Sequence, residues 1–195
     1  CKDGIVIAAD KRATAGNMIV DKRAEKVHIL SDEMAVTIAG NVSDAQLIIK
    51  LIRAELKLKE VRTGKKPSVK EAANLLGGLL YTNIRQMSMF PGVAHFLLAG
   101  RDSSGTYLYD LFPDGSVTKM RDYVSSGSGS VFAYGVLETQ FKSEMSVADG
   151  IKLAVRCVNT ALQRDSCTGN GVDVVVVNEK EVKRVLQKEL EYSLL

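Results

Sequence analysis

The apolar patterns of this chain fall into blocks of one kind, and their order restricts the fold more than any single motif does. Short apolar runs predict strands over residues 5–39, and two helical patterns follow over residues 43–90. Strands return over residues 94–125, and two more helical patterns precede a β-branched run over residues 172–177. Segregated blocks argue against alternating βαβ units. We therefore predict an α+β protein in which two antiparallel sheets lie face to face, with one helix pair outside each sheet.

Residues typical of helix starts support these boundaries. Ser43 is predicted to cap the first helix, and Ser68 with Glu71 three residues later is the pattern of a capping box for the second. Residues 126–130 open the third helix, and Ser146 caps the fourth. Each helix therefore has a sequence signal for its first turn.

Three further stretches are interpreted as follows. Gly77 and Gly78 lie inside the second helix, where each glycine costs about 1 kcal/mol relative to alanine; close packing against another helix is the expected reason. Residues 123–125 are predicted to form a short strand. Residues 181–195 suit either a helix or an edge strand, and the pattern leaves both open.

Composition and charge limit the classes of function. A chain of 195 residues with 46% hydrophobic residues can build one domain with its own core. The net charge of +3 is too small to indicate nucleic-acid binding, and no apolar run approaches a membrane span. The two histidines, His28 and His95, lie far apart, which argues against a metal site or a Ser-His-Asp triad. The cysteines, Cys1, Cys157 and Cys167, show no Cys-x-x-Cys spacing and are expected to be free thiols.

The first residues have the pattern of a turn. Asp3-Gly4 precedes a run of apolar residues, and Asp-Gly in that position is a strong hairpin signal. A hairpin turn requires an incoming strand. We therefore expect the sequence to be a fragment or a processed product whose first strand precedes Cys1.

The stretch from Asp10 to Asn17 is the first candidate for chemistry. Residues 5–8 are apolar and predict a buried strand that ends on charge. Side chains alternate along a strand, so Asp10 and Arg12 would share one face and Ala13 would lie on the other. The pattern fits either a strand end with solvated charges or the floor of a catalytic site.

Three other elements could carry chemistry, and each has a simpler structural interpretation. Lys26 is a lone cation on an apolar strand, as edge lysines often are. Residues 127–130 alternate glycine and serine at a helix start, which suits an anion or a flexible cap, although no Walker lysine follows. Residues 164–169 are dense in charges and hydroxyls, as in a polar loop.

Together these motifs resemble the β subunits of the 20S proteasome, especially those of archaeal type. The resemblance runs from Cys1 to about Val177, and the motifs occur in the family's order. They are Asp10-Lys-Arg-Ala-Thr14-Ala-Gly16, Lys26, Ala39-Gly40, Ser43-Asp-Ala-Gln46, Gly127-Ser-Gly129, Tyr134-Gly-Val-Leu-Glu138 and Arg164-Asp-Ser166.

The resemblance implies a four-layer αββα sandwich, the fold of N-terminal-nucleophile hydrolases, formed by residues 1–195 as a single domain without its first strand. It implies a threonine-type endopeptidase of the cytoplasm, without cofactor or metal, in which an amino-terminal threonine attacks the peptide bond and its own amine accepts the proton. The implied partners are other β subunits in a heptameric ring, an α-subunit ring, an ATP-dependent unfoldase or other regulator, and unfolded protein substrates. Nucleic acid and membrane are not implied.

The resemblance also assigns roles next to the threonine. Asp10 and Lys26 resemble the carboxylate and ammonium beside it, and Arg12 would orient Asp10. Lys26 would keep the pKa of the amine low, because a neighbouring positive charge disfavours protonation.

The remaining catalytic roles fall on a second group of residues. Ser128, Asp165 and Thr168 resemble the groups around the amine, although the family usually has serine where this chain has Thr168. The N–H of Gly40 resembles the donor to the oxyanion. The backbones of Thr14 and Gly40 would pair with an extended substrate as an added strand.

The nucleophile itself is not among these residues. Cys1 would lie opposite Ile5 across the turn, and Asp10 is five residues further along the strand, roughly 16 Å away at ~3.3 Å per residue. The threonine is expected roughly five to seven residues before Cys1, counting back from the turn. A chain that begins at Cys1 is therefore predicted to be inactive.

A specificity pocket follows from the same resemblance. No carboxylate belongs to the set, so a basic substrate side chain would lose its hydration without gaining a partner. We therefore predict cleavage after large apolar residues. The pocket residues are Ala13, Ala24, His28, Ile38, Val42 and Gln46.

Two alternatives are weighed against this hypothesis. A non-catalytic structural β subunit of the same ring would not need the charged set around Asp10 and Lys26. A bacterial HslV-type protease is a more distant match, because residues 164–166 and 135–138 fit the proteasome better.

Overall fold

A computed structural model describes residues 1–190 of the chain. The four helices in this range are α1 (Val42–Thr63), α2 (Val69–Arg85), α3 (Ser130–Gln140) and α4 (Val147–Leu162). The strands are β1 (Ile5–Asp10), β2 (Ala13–Ala15), β3 (Met18–Asp21), β4 (Val27–Ser31), β5 (Met34–Gly40), β6 (Ala94–Asp102), β7 (Gly105–Leu111), β8 (Val117–Met120), β9 (Gly171–Val177) and β10 (Val182–Glu189).

Two antiparallel sheets form the middle of the molecule. The large sheet has the strand order β4-β5-β6-β7-β8, and the small sheet has the order β1-β9-β10. Helices α1 and α2 cover the outer face of the large sheet, while α3 and α4 pack against each other and α4 lies on the small sheet. The predicted α+β sandwich with four αββα layers is confirmed.

The alternation of side chains along the strands explains how these layers pack. In β5, Met34 and Val36 face the helices, whereas Ala35 faces the small sheet. The small side chains of Ala35 and Ala99 allow the two sheets to approach closely. The core between the sheets consists of Ile7, Val27, Ala35, Ala99, Val175 and Val177.

The helix starts follow the sequence signals, with one exception. Ser68 and Glu71 form the predicted capping box, and Ser146 accepts a hydrogen bond from the backbone N–H of Asp149. The prediction for α1 was wrong, because this helix begins at Val42, before Ser43. The cause is the sharp turn at the end of β5, where Gly40 (φ 97°) places Asn41 at the cap position.

The structure also shows the conformation of the three stretches interpreted above. Residues 182–189 form the edge strand β10, so the helical alternative is wrong there; residues 191–195 lie outside the described range. Residues 123–125 are not a strand. Gly77 packs closely, as expected, but against Val117 and the turn at Gly115 instead of another helix, whereas the expectation is wrong for Gly78, which has open space beside it.

Strand β1 has one partner among the described residues. It pairs with β9, and its other edge borders a cavity of about 860 Å³. Asp10 lies at the last position of β1, opposite Val172. The small sheet therefore brings the charged end of β1 to the wall of this cavity.

The two neighbouring glycines of α2 offer a matched test of the packing. A Cβ at Gly77 would lie 2.5 Å from Val117 Cγ2 and 3.0 Å from the Gly115 carbonyl oxygen, whereas a Cβ at Gly78 meets nothing within 4 Å. We expect Gly78→Ala to raise the free energy of unfolding by about 0.5–1 kcal/mol through helix propensity. Gly77→Ala should lower it, because overpacking costs about 1–3 kcal/mol. Denaturant unfolding of both variants would show the difference, and equal shifts would contradict this packing.

Candidate active site

The carboxylate of Asp10 joins three separate parts of the chain. Its Oδ1 lies 2.8 Å from Lys26 Nζ, while Oδ2 accepts hydrogen bonds from the backbone N–H groups of Arg12 and Gly169, both at 2.9 Å. The side chains of Asp10 and Lys26 are 12% and 21% exposed. A carboxylate with three donors is held in one orientation and fixes the ammonium beside it. The arrangement directs a cation to the end of β1.

Arg12 reaches this site in a way that the sequence did not predict. Its backbone N–H orients Asp10, but its guanidinium donates to Asn170 Oδ1 and to the carbonyl oxygen of Ser166, both at 2.8 Å. The side chain therefore ties the end of β1 to the loop after α4. The predicted contact of Arg12 with Asp10 is therefore made by the backbone N–H, because the guanidinium is bound to that loop.

A second carboxylate, that of Asp165, accepts hydrogen bonds from two hydroxyl groups. Its Oδ2 accepts from Ser128 Oγ at 2.6 Å and from Thr168 Oγ1 at 2.5 Å, and its Oδ1 accepts from the N–H of Cys167 at 3.2 Å. Burial raises the pKa of Asp165, but these hydrogen bonds and the charge of Lys26 outweigh it and hold the pKa below its usual range. Asp165 is therefore ionised at neutral pH and electrostatically coupled to Lys26.

The glycine before α3 is required by this second cluster. A Cβ at Gly129 would lie 2.8 Å from Thr168 Oγ1 and 2.9 Å from the Ala161 side chain. The close approach brings the first turn of α3 against the loop after α4 and sets Ser128 beside Asp165. The Gly-Ser-Gly pattern serves here as a packing contact that presents a hydroxyl.

Both clusters and the predicted substrate-binding residues meet at the same cavity. Asp10, Lys26, Ser128 and Thr168 line its wall. Gly40 lies at the exposed end of β5 and has no room for a side chain, since a Cβ there would be 2.3 Å from the carbonyl oxygen of Val93. The other lining residues from the predicted set are Ala13, Thr14, Ala24, His28, Ile38, Val42 and Gln46.

Cys1 also lines the cavity, but at its other end. A Cβ on Gly150 of α4 would clash with the Cys1 sulfur, so this thiol packs on α4. Strand β1 runs from Ile5 to Asp10 between the two sites, roughly 16 Å of extended chain. The thiol of Cys1 is therefore remote from the Asp10–Lys26 pair.

Sequence reasoning missed two charged groups near the site. Glu25 lines the cavity, with its Oε2 3.8 Å from Nδ1 of His28, although no carboxylate was predicted in this pocket. Behind Asp10, the buried Lys11 ammonium lies 3.5 Å from Asp173 of β9. Strand alternation places Lys11 opposite to Asp10 and Arg12 and could have indicated its burial. No sequence signal indicated its partner.

Burial determines the charge of the pocket histidine. Desolvation lowers the pKa of His28, and the positive charges of Arg53 and Arg184 lower it further, which outweighs the opposing effect of Glu25. His28 is therefore neutral at pH 7. A neutral imidazole gives this wall of the cavity little attraction for an acidic group.

The described residues offer neither a metal centre nor a membrane-spanning helix. Within residues 1–190 no group of three or more potential metal ligands comes together. In the same range no helix is both long enough and apolar enough to cross a membrane.

The sandwich of two antiparallel sheets between helix pairs is the fold of the N-terminal-nucleophile hydrolases. The family model described as proteasome subunit matches residues 1–177. The proteasome β subunit of Archaeoglobus fulgidus is 42% identical over 194 residues, covering 100% of this chain and 89% of that protein. That of Ferroglobus placidus is 40% identical over 194 residues, covering 100% and 90%. The chain belongs to the proteasome subunit family, and these archaeal β subunits are its relatives.

The contact between Thr168 and Asp165 predicts a pH-dependent effect on stability. Thr168→Val keeps the shape but removes the donor, so we expect the free energy of unfolding at pH 7 to fall by about 1.5–3 kcal/mol. The loss should shrink as the pH drops below about 4, because the lowered pKa of Asp165 contributes stability only while the carboxyl is ionised. Thr168→Ser is the matched control and should stay close to the parent. A loss that persists unchanged at pH 3 would contradict the role of the charge.

Proposed function

We propose that this chain is the catalytic β subunit of a self-compartmentalising proteasome core that hydrolyses peptide bonds of unfolded proteins with an N-terminal threonine. The observation that carries the proposal is the convergence of two charged clusters on one cavity beside β1. Asp10 with Lys26 supplies a fixed cation, and Asp165 with Ser128 and Thr168 supplies oriented hydroxyls. A ring subunit without activity would not need both clusters at the wall of one cavity, because a partly buried ion pair must recover its desolvation cost.

The threonine would lie on a strand that precedes the turn at residues 2–3 and pairs with the cavity-facing edge of β1. Antiparallel pairing would bring a residue roughly five to seven positions before Cys1 next to Asp10. The border between β1 and the cavity supports this placement, since Ile5–Asp10 all line the cavity wall. Cys1 is not the proposed nucleophile, because it packs on α4 at the far end of β1.

The chemistry follows from the charges at this position. The threonine hydroxyl would lose its proton to the chain's own α-amine as it attacks the substrate carbonyl. Lys26, held by Asp10, would stabilise the developing alkoxide and keep the amine unprotonated, since like charges repel. The oxygens of Ser128 and Thr168, oriented by Asp165, would pass the proton toward the leaving amine. The N–H of Gly40 would stabilise the oxyanion.

The pocket next to Gly40 determines the proposed substrate preference. Ala13 and Ala24 leave space, while Ile38 and Val42 provide an apolar wall. The neutral His28 offers little to an acidic side chain. We infer cleavage after large apolar residues such as leucine or tyrosine. Apolar pockets discriminate by size only about 10–200-fold per methylene, so the cleavage sites would be broad among apolar residues.

The family membership also suggests the assembly. The β subunit would form a ring with other β subunits, stack on an α-subunit ring, and receive unfolded chains from an ATP-dependent unfoldase or another regulator in the cytoplasm. Within such a chamber the cavity described above would open toward the substrate.

Lys26→Ala in a protein with the preceding threonine strand should abolish peptide hydrolysis and leave ring assembly intact. Lys26 is 21% exposed and contacts Asp10, which keeps its two backbone donors in the variant, so the fold should survive. Activity against a fluorogenic peptide, with native mass spectrometry for assembly, is the measurement. Lys22→Ala, at an exposed position four residues earlier, is the matched control. Variant activity within tenfold of the parent would contradict the role, as tenfold corresponds to ~1.4 kcal/mol in the barrier.

A comparison of two forms of the protein tests the nucleophile. Protein shown by mass to begin at Cys1 should not turn over the peptide, whereas protein with the threonine strand should. The physical reason is the distance of the Cys1 thiol from the Asp10–Lys26 pair, roughly 16 Å of extended chain. Turnover by the form that begins at Cys1 would overturn the proposed mechanism.

A further inference from the structure

The pocket wall contains a carboxylate that conflicts with a preference for apolar side chains. Glu25 lines the cavity together with Ala24 and His28, and its side chain is 54% exposed. An unpaired carboxylate at this position would attract a lysine or arginine side chain of a substrate. The apolar selectivity therefore depends on which group neutralises the charge of Glu25.

The partner of Glu25 comes from the last strand of the small sheet. Arg184 lies on β10 at the register shift before Leu186, and its Nη2 donates to Glu25 Oε1 at 2.8 Å and to the carbonyl oxygen of Val27 at 2.8 Å. These two contacts lie on either side of Lys26 in the sequence. Arg184 also lies outside residues 1–177, the range that the family model matches.

A second arginine near Glu25, Arg53, is bound to a different group. Arg53 of α1 donates its Nη2 to the carbonyl oxygen of Ile29 at 2.9 Å. His28 lies 3.8 Å from Glu25 and is neutral, since burial lowers its pKa. Burial also raises the pKa of Glu25, but the hydrogen bond from Arg184 and the surrounding positive charges outweigh this effect, so the carboxyl is ionised at neutral pH. A permanent negative charge thus faces one positioned guanidinium.

We propose that Arg184 is a specificity-determining residue: it masks the charge of Glu25 and so prevents the pocket from accepting basic side chains. Its second contact, to the carbonyl oxygen of Val27, fixes the segment that carries Lys26 to Asp10. The part of this proposal that concerns substrate preference rests on the proposed peptidase function. The ion pair and the two hydrogen bonds from Arg184 to residues 25 and 27 are properties of the folded chain.

Removal of Arg184 should expose the charge of Glu25 to substrates. The test compares peptides that differ only in the residue before the scissile bond, which is leucine, tyrosine, arginine or glutamate. The parent enzyme should cleave after leucine and tyrosine. In Arg184→Gln we expect kcat/KM after arginine to rise about three- to fivefold relative to leucine, the upper end of the scale of a partly exposed ion pair. The double variant Arg184→Gln/Glu25→Gln should return to the parent ratio.

Three control variants separate charge from structure. Glu25→Gln alone should show no gain after arginine, because no carboxylate remains. Arg184→Lys should still neutralise the charge of Glu25, since the positive charge is retained. Lys183→Gln, at an exposed position next to Arg184, should behave like the parent. A ratio within twofold of the parent in Arg184→Gln, or a gain that persists in the double variant, would overturn the proposal.

A readout without turnover separates this proposal from the proposed function. Arg184→Gln should speed hydrogen exchange of the amide of Ile38, which donates to the Lys26 carbonyl oxygen at 3.0 Å. If the parent cleaves no peptide, the proposed peptidase function is wrong. Equilibrium binding of the arginine and leucine peptides, measured by fluorescence anisotropy, then tests whether Arg184 masks the charge of Glu25. Binding of the arginine peptide must strengthen in Arg184→Gln and not in the double variant. Unchanged binding of the arginine peptide in Arg184→Gln would overturn the proposed role of Arg184.

Discussion

The hydrogen bonds that converge on Asp10 are the interaction on which the rest of the site depends. One carboxylate connects the end of β1, the residue before β4 and the loop after α4, through donors from Arg12, Lys26 and Gly169. These segments belong to both sheets and to the connection between α4 and β9. Because each donor fixes a different segment, the position of the Lys26 ammonium is set by the whole sandwich and not by its own strand.

The rigid parts of the molecule support this junction from both sides. The large sheet is anchored by the apolar layer beneath α1 and α2, which includes Phe96 and Leu98 without measurable exposure. The small sheet is held by the core between the sheets and by the buried pair of Lys11 and Asp173 behind Asp10. A charged site at the end of a strand requires such support, since a loosely held carboxylate would be solvated and lose its orienting effect.

The sequence predicted those features that depend on local patterns. The layer order follows from the blocks of apolar periodicity, and the capping box at Ser68 is a motif of four residues. Asp10 and Lys26 were singled out as charges next to apolar strands, and the resemblance to proteasome β subunits gave them their predicted roles. The contacts made by long side chains were not predictable in this way. Arg12 reaches a loop 154 residues away, and Arg184 meets Glu25 across 159 residues, so only the folded chain brings these partners together.

The strand order of the small sheet has a consequence for biosynthesis. Its central strand β9 joins β1, near the beginning of the chain, to β10 near the end of the described range. While the ribosome is still synthesising the polypeptide, β4–β8 and the helices α1 and α2 can already pack, because their contacts lie within the first 120 residues. The donors from Gly169 and Arg184 arrive last. A nascent chain thus carries its charged groups unassembled until residues 169–184 have been synthesised, which delays completion of the cluster at the end of β1.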